Sequence, residues 1–301
     1  MSEATNASKP TVSLVLSSGG ARGYAHIGAI EELLQRGYCI TSVAGTSMGA
    51  LIGGMYAAGK LPEVRDWMCS IDRKEMMSLI DWSLSLDYVV KGDKVIKALR
   101  QMVPDVKIEE LAVPFCAVSA DLATKREVVF RKGSLYRAIR ASISIPSVFK
   151  PVRIAHHQLV DGGIANALPL NRVVRTEGDL LVSVNVSAPS TAEAARIHAE
   201  EEKDGPKPLP WLEYVVPNAL KQRVENNYFS LLTEAFGMMI ERSTVMAQKL
   251  NVPDVAVNIP MNRFGAFDFD KAESIITEGR RSMAEALDEY ERRTASMHSE
   301  F

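Results

Sequence analysis

The sequence predicts an α/β protein with a mainly parallel sheet covered by helices. Two strand-turn-helix units stand in succession near the start of the chain, and further short apolar runs alternate with helical periodicity beyond them. In the first unit, the apolar run 12–16 ends on Ser17-Ser18-Gly19-Gly20, the pattern of a buried strand entering a tight glycine loop. Ile27, Ile30, Leu33 and Leu34 then recur at helical spacing, with Gly37 as C-cap. The second unit repeats this, with a strand at 40–44, a turn at 45–49 and a helix at 50–58 closing on Gly59. Parallel strands require such crossover helices.

Residues 61–103 read as helical and carry Trp67, Met76, Met77 and Trp82. Strands are expected at 114–120 and 127–131, a helix at 134–141, and strands at 158–160 and 179–186. The stretch 187–210 is rich in Ala, Glu, Pro and Lys and has few large apolar residues, so it reads as a mobile loop or linker. Beyond it, Leu232, Phe236, Met239, Ile240, Met246 and Leu250 share one helical face. Ile276, Gly279, Met283, Leu287 and Tyr290 mark a second helix, with a strand at 255–259 between the two. The expected organisation is a polar tail at 1–10, an α/β core at 11–188, a mobile stretch at 189–210 and a mostly helical part at 211–301 packed on the core. The mobile stretch, with the face carrying Phe229, Phe236, Met238 and Met239, would form either a lid or lipid contact or a plain loop and core helix. The second reading is preferred, because a Met- and Phe-rich helical face is usually core.

With 301 residues, 47% hydrophobic and 24% charged, the chain can bury one large core or two modest ones. A net charge of -2 gives no overall attraction to nucleic acid. Cys39, Cys69 and Cys116 are odd in number and form no CxxC pair, which argues against a disulfide framework or zinc site and for a reducing compartment. Residues 1–10 lack the basic start and apolar run of a secretory signal, and no stretch approaches the ~20 apolar residues of a membrane span. A cytoplasmic protein, at most peripheral to a membrane, is expected.

Gly45-Thr46-Ser47-Met48-Gly49 fits G-x-S-x-G between a predicted strand and a predicted helix. In such an elbow the serine takes a strained backbone conformation, and side chains two positions to either side would collide with the flanking strand and helix. The helix that follows places the positive end of its dipole near Ser47, where an oxyanion would develop. A chance match, or Ser47 as a mere helix cap, is the competing reading.

Gly19-Gly20-Ala21-Arg22-Gly23 lies between the first strand and the first helix, so its backbone N–H groups are candidates to converge on a carbonyl oxygen. A phosphate or dinucleotide loop competes with this, but the run is G-G-x-x-G and matches neither the dinucleotide fingerprint nor a Walker motif. The second strand carries no acid for a ribose, since 40–44 holds only Thr41 and Ser42 as polar residues. Arg22 would either brace the loop or attract a lipid phosphate, and bracing needs fewer assumptions.

A serine nucleophile needs a proton acceptor, usually histidine. Of the five histidines, His26 falls in the first helix, and His156 and His157 are adjacent and expected on opposite strand faces. His198 lies in the linker-like stretch and His298 in a polar tail. Asp161 is the better candidate, because it ends the strand 158–160 and precedes Gly162 and Gly163, which allow close backbone approach. Burial would have to raise its basicity from a reference pKa near ~4, and an ordinary D-G turn is the alternative.

Together, G-G-A-R-G at 19–23, G-T-S-M-G at 45–49, A-S-I-S-I-P at 141–146 and D-G-G at 161–163 resemble the patatin-like phospholipases, in particular the compact bacterial members. The resemblance implies a three-layer α/β/α fold and a Ser-Asp dyad with Ser47 as nucleophile and Asp161 as base. It further implies an oxyanion hole around Gly19, Gly20 and Gly23, in the loop that carries Arg22, with no metal and no cofactor. The implied substrates are phospholipids, lysophospholipids and other acyl esters, cleaved through an acyl-enzyme, and the dyad accounts for the missing histidine. A transacylase with the same dyad and a non-catalytic scaffold of the same fold are the alternatives, the intact Ser47 and Asp161 weighing against the scaffold. The four motifs cover about half the chain, and nothing after residue 188 inherits a role.

Overall fold

The computed structural model describes residues 10–71, 75, 93–146, 148–202 and 228–299. Met76, Met77, Trp82, most of the N-terminal tail and residues 203–227 lie outside these. Strand β1 (Thr11–Leu16) runs through the glycine loop and a 3₁₀ turn at Gly20–Tyr24 into helix α1 (Ala25–Gln35). Gly37 adopts φ 82° after α1, and the N–H groups of Gly37 and Tyr38 bond the Leu34 and Leu33 carbonyls. This C-cap reverses the chain into β2 (Cys39–Thr46). The second unit continues into α2 (Met48–Ala57), α3 (Leu61–Ser70) and α4 (Asp93–Met102).

Strands β3 (Phe115–Asp121) and β4 (Arg126–Phe130) form a hairpin, followed by α5 (Leu135–Ser142), whose N-cap Ser134 accepts the Arg137 N–H. Then come β5 (Val152–Ile154), β6 (His157–Asp161), β7 (Leu180–Ala188), α6 (Ala192–Glu202), α7 (Tyr228–Leu250), β8 (Val255–Pro260) and α8 (Ala272–Ser299). One eight-stranded sheet has the order β5-β6-β3-β2-β1-β7-β8, with β4 also on β3. β1, β2, β3, β7 and β8 pair in parallel, and β4, β5 and β6 are antiparallel additions at one side.

Alternation along β1 divides the layers. Val12, Leu14 and Leu16 join Ile27, Ile30, Ile52 and Met283 in the larger core, under α1, α2 and α8. Val15 points to the other face and packs with Leu168, Leu170, Leu181 and Ala247 of α7. Helices therefore cover both faces of the sheet. Helix α8 crosses α1 in close contact because Gly28 and Gly279 face the partner backbones; a side-chain carbon on Gly28 would lie 1.9 Å from the Ile276 carbonyl oxygen.

Three expectations change. The stretch read as a loop contains α6, so low apolar content there reflects a helix with few buried positions. The Met-rich face of α7 is not core: Leu231 and Met238 are 63% and 61% exposed, and Met239 and Met246 are exposed too. The inward side of α7 uses Ile240, Ser243 and Thr244 against a partly polar layer, Thr244 donating to the Ser187 carbonyl, so hydrophobic periodicity alone misplaces the buried face. His156 and His157 do not diverge, because His156 lies in the turn before β6 and the two rings sit 4.0 Å apart.

Candidate active site

Ser47 stands between β2 and α2 with φ 56° and ψ -122°, a backbone region costly for a residue with a side chain, by about 1–3 kcal/mol. The turn that imposes this conformation is tight. A side-chain carbon at Gly45 would lie 2.3 Å from the Gly49 carbonyl oxygen, and one at Gly49 would lie 2.4 Å from that of Leu16. Both obstacles are backbone, which explains glycine at both positions. Ser47 opens α2 through its carbonyl, which accepts the Ala50 and Leu51 N–H groups, but its side chain does not cap the helix. The hydroxyl instead donates to Asp161 Oδ2 at 2.5 Å.

Strand register brings these two residues together. β4 occupies one edge of β3 over Ala117 to Asp121, so β2 and β6 share the other edge. β2 runs parallel to β3 and ends with Thr46 opposite Val118; β6 runs antiparallel and ends with Asp161 opposite Ser119. Two strands on one edge thus run toward each other and stop at adjacent rungs. Gly162 makes the exit possible, because a side-chain carbon there would lie 2.3 Å from the Val118 carbonyl oxygen.

Asp161 is buried, and its Oδ1 accepts the Gly163 N–H at 2.7 Å. Burial pushes its carboxyl up to about 7, against the hydrogen bonds from Ser47 and Gly163 that pull it down. That value suits a group that takes and returns a proton near neutral pH. The last residue of α5 and the segment after it clamp both partners: Ser142 Oγ accepts the Ser47 backbone N–H at 2.8 Å and donates to the Val118 carbonyl, and the Ser144 carbonyl accepts the Asp161 N–H at 2.8 Å. Ser144 Oγ is in turn held by Arg140 Nη1 at 2.7 Å.

The glycine loop lies against the elbow, with Gly23 facing the Met48 side chain and the Leu16 and Ser17 carbonyls facing Gly49. Ala21 N–H bonds the Ala266 carbonyl at 2.9 Å, whereas among the described residues no protein carbonyl accepts the N–H of Gly19 or Gly20. Arg22 is buried and braces the loop, its Nε donating to the Gly19 carbonyl and its Nη1 to the Met261 carbonyl. Burial lowers its pKa to about 10, with Asp268 nearby opposing the shift. His26 lies behind the loop with Nε2 2.9 Å from the Ser17 carbonyl, and burial lowers its pKa to about 4, so it is neutral at pH 7 and donates there.

No histidine partners Ser47 among the described residues. His26 bonds Ser17, and His157 Nδ1 lies 2.7 Å from Asp121 Oδ2. The structure brings Ser47, Asp161 and the glycine loop together. Sequence reasoning gave no role to Ser142 or Ser144; the signal was the S-x-S spacing directly after a helix, which alone does not reveal which backbone groups it meets. Among the described residues no group of three or more His, Cys, Asp or Glu side chains is placed to hold a metal ion, and no helix is long and apolar enough to cross a membrane.

A family model described as patatin-like phospholipase matches residues 14–174. An uncharacterized NTE family protein of Mycobacterium tuberculosis is 43% identical over 180 residues, covering 60% of this chain and 50% of the relative. A second NTE family protein of that organism, also uncharacterized, is 28% identical over 288 residues, covering 92% of this chain and 46% of the relative. Patatin-like phospholipase domain-containing protein 6 of Mus musculus is 31% identical over 189 residues, 59% of this chain and 14% of that protein. The chain therefore spans half or less of the length of these curated relatives. Among solved structures, VipD from Legionella pneumophila is similar with a TM-score of 0.46 and 16% identity over 94% of this chain and 67% of that one.

Proposed function

Since the chain belongs to the patatin-like phospholipase family, we propose that it hydrolyses acyl esters of lipids, with Ser47 as nucleophile and Asp161 as its base. The observation that carries this reading is the 2.5 Å hydrogen bond from Ser47 Oγ to a buried carboxylate, made at a strained elbow. Asp161 takes the Ser47 proton as Oγ attacks the acyl carbon. The oxyanion forms beside Gly19 and Gly20, whose N–H groups are available as donors, and the orphan N–H groups at the start of α2 add positive potential. Asp161 then protonates the leaving alcohol, and water releases the fatty acid from acylated Ser47.

Substrates that reside in membranes fit the exposed side of α7. Ile240 of this helix packs beside Gly163, two residues from Asp161, while Leu231, Met238 and Met246 face outward. Peripheral contact with a lipid surface at that face would bring acyl esters to the dyad.

Two variants and one label test the reading. Wild type should hydrolyse p-nitrophenyl acyl esters and phospholipid vesicles, and a fluorophosphonate should add one adduct at Ser47 by peptide mass mapping. Ser47→Ala should lose both activity and label, and Asp161→Asn should lose activity by about 10³-fold or more. Label on another serine, or near-normal turnover by folded Asp161→Asn, would overturn the dyad.

A further inference from the structure

Asp121 ends β3 and ties two hairpin turns together. Its buried carboxylate accepts the Ala123 N–H and the Thr124 hydroxyl of the turn between β3 and β4, at 3.1 and 2.8 Å. It also accepts the Gln158 N–H at 3.1 Å and lies 2.7 Å from His157 Nδ1, both at the start of β6. The turn into β4 and the turn between β5 and β6 therefore sit side by side, and their outer residues form one surface. Leu122 and Ile154 are 46% and 41% exposed there, with Lys125, Arg126, Arg153 and His156 exposed beside them.

The charge of this surface has one sign. Asp121 is the only acid in residues 121–126 or 152–158, and its oxygens are taken by the contacts just given. Glu127, next along β4, is occupied with Arg172 and Asn166. Lys125, Arg126 and Arg153 have no acidic partner among the described residues. Lys125 also takes φ 56°, a left-handed turn position where glycine is the default, so a cationic side chain stands there against the backbone preference. Two exposed apolar side chains set among unpaired cations match an anionic lipid surface, the apolar groups entering the acyl boundary while the cations meet phosphate.

The same surface lies at the end of the sheet that carries Ser47. β2 stops with Thr46 opposite Val118, whereas β3 continues to Asp121, roughly 10 Å farther at about 3.3 Å per residue. Alternation along β6 puts His157 and Leu159 on the face of Asp161. Ile154 stands opposite His157, and Arg126 stands opposite Asp121, which is itself opposite Leu159. Ile154 and Arg126 thus share the face of Asp161. Resting on the lipid-ester reading above, we propose that the paired turns at 121–126 and 153–156 are a docking surface for anionic phospholipid membranes. Docking there seats the protein with the Ser47 end of the sheet toward the bilayer.

The test is co-sedimentation of the full chain with mixed phosphatidylglycerol–phosphatidylcholine vesicles, against vesicles of phosphatidylcholine alone. Wild type should bind the anionic vesicles far more strongly, and that binding should fall as salt is raised. Each cation near such a surface is worth roughly fivefold in partition, so Lys125→Gln with Arg126→Gln and Arg153→Gln should weaken binding about a hundredfold. Ile154→Gln, which keeps the charges, should weaken it about fivefold. A thermal midpoint equal to that of wild type shows that each variant is folded. Undiminished binding by the folded triple variant would overturn the proposal, as would equal binding to both kinds of vesicle or none to either. Capture of wild type on heparin without vesicle binding would also overturn it and assign the surface to a soluble polyanion. Binding is read without turnover, so the expected pattern in a protein lacking Ser47-dependent ester hydrolysis would support the docking surface and defeat the dyad reading.

Discussion

Ser142 holds Ser47 by the backbone: its Oγ accepts the Ser47 N–H at 2.8 Å and passes the restraint to β3 by donating to the Val118 carbonyl. The hydroxyl thus ties the strained elbow to the strand that also carries Asp161 on its edge. Ser142→Ala leaves a buried N–H and a buried carbonyl without their partner, a loss of about 1–3 kcal/mol. The expected result is a lower midpoint in urea denaturation with an unchanged slope, and a larger fall in kcat than in KM, because the geometry of Ser47 is loosened while substrate contacts remain. Wild-type kcat in this variant would remove the clamp from the mechanism.

The raised pKa of Asp161 makes two linked predictions. In the proposed role of base it would work only as the carboxylate, so kcat/KM should rise with pH through about 7 and then level, with no inflection from histidine. For stability the sign is opposite. The folded-state value lies above the ordinary 3.8, so the unfolded chain holds fewer protons between those values, and wild type loses stability as pH rises through that window. Asp161→Asn has no such loss. Its thermal midpoint should gain on that of wild type from pH ~4 to ~7 and then hold a constant lead; a gap that does not widen with pH would contradict burial as the cause.

The first two strand-helix units and the elbow were legible because each depends on local pattern: an apolar run, a glycine turn, a helical stripe. Asp161 was legible as a partner for Ser47 from its place at a strand end before two glycines and from the motif resemblance, but the geometry of their meeting was not, since it depends on β2 and β6 sharing one edge of β3 across 114 residues of chain. Nothing in Thr46 or Val160 announces that register. Likewise β5, with three residues, is too short for alternation to register. The α7 face misled for a different reason: periodicity finds the apolar side, and on this helix part of that side faces outward while Ser243 and Thr244 face in.

Arg22 joins two segments far apart in sequence, the glycine loop at Gly19 and the turn after β8 at Met261. Its two carbonyl partners call for a planar guanidinium with separated donors, a geometry lysine cannot copy. Arg22→Lys should therefore retain the charge but lose one of the two bonds, with a stability loss of about 1.5–3 kcal/mol by chemical denaturation. A loop released at Gly19 should also lower kcat with soluble esters. Full retention of stability and rate would mean the loop holds its shape without the brace.

Leu231 and Met238 lie seven residues apart on α7, hence on one side of the helix, and both are exposed. Arg242 is exposed on the same side, suited to an anionic headgroup. If this face meets lipid, placing negative charge there should act on membrane substrates alone. Leu231→Glu with Met238→Glu removes two apolar side chains that would enter the interface, a loss worth at least about tenfold in vesicle partition. Surface changes of this kind alter folding stability by roughly 0.5 kcal/mol or less, so the variant should remain folded. The expected pattern is weaker co-sedimentation with anionic phosphatidylglycerol vesicles and slower vesicle hydrolysis, with hydrolysis of a short-chain soluble ester unchanged. Equal loss on both substrates would place the damage at the dyad, and equal retention on both would mean that the α7 face does not meet the membrane.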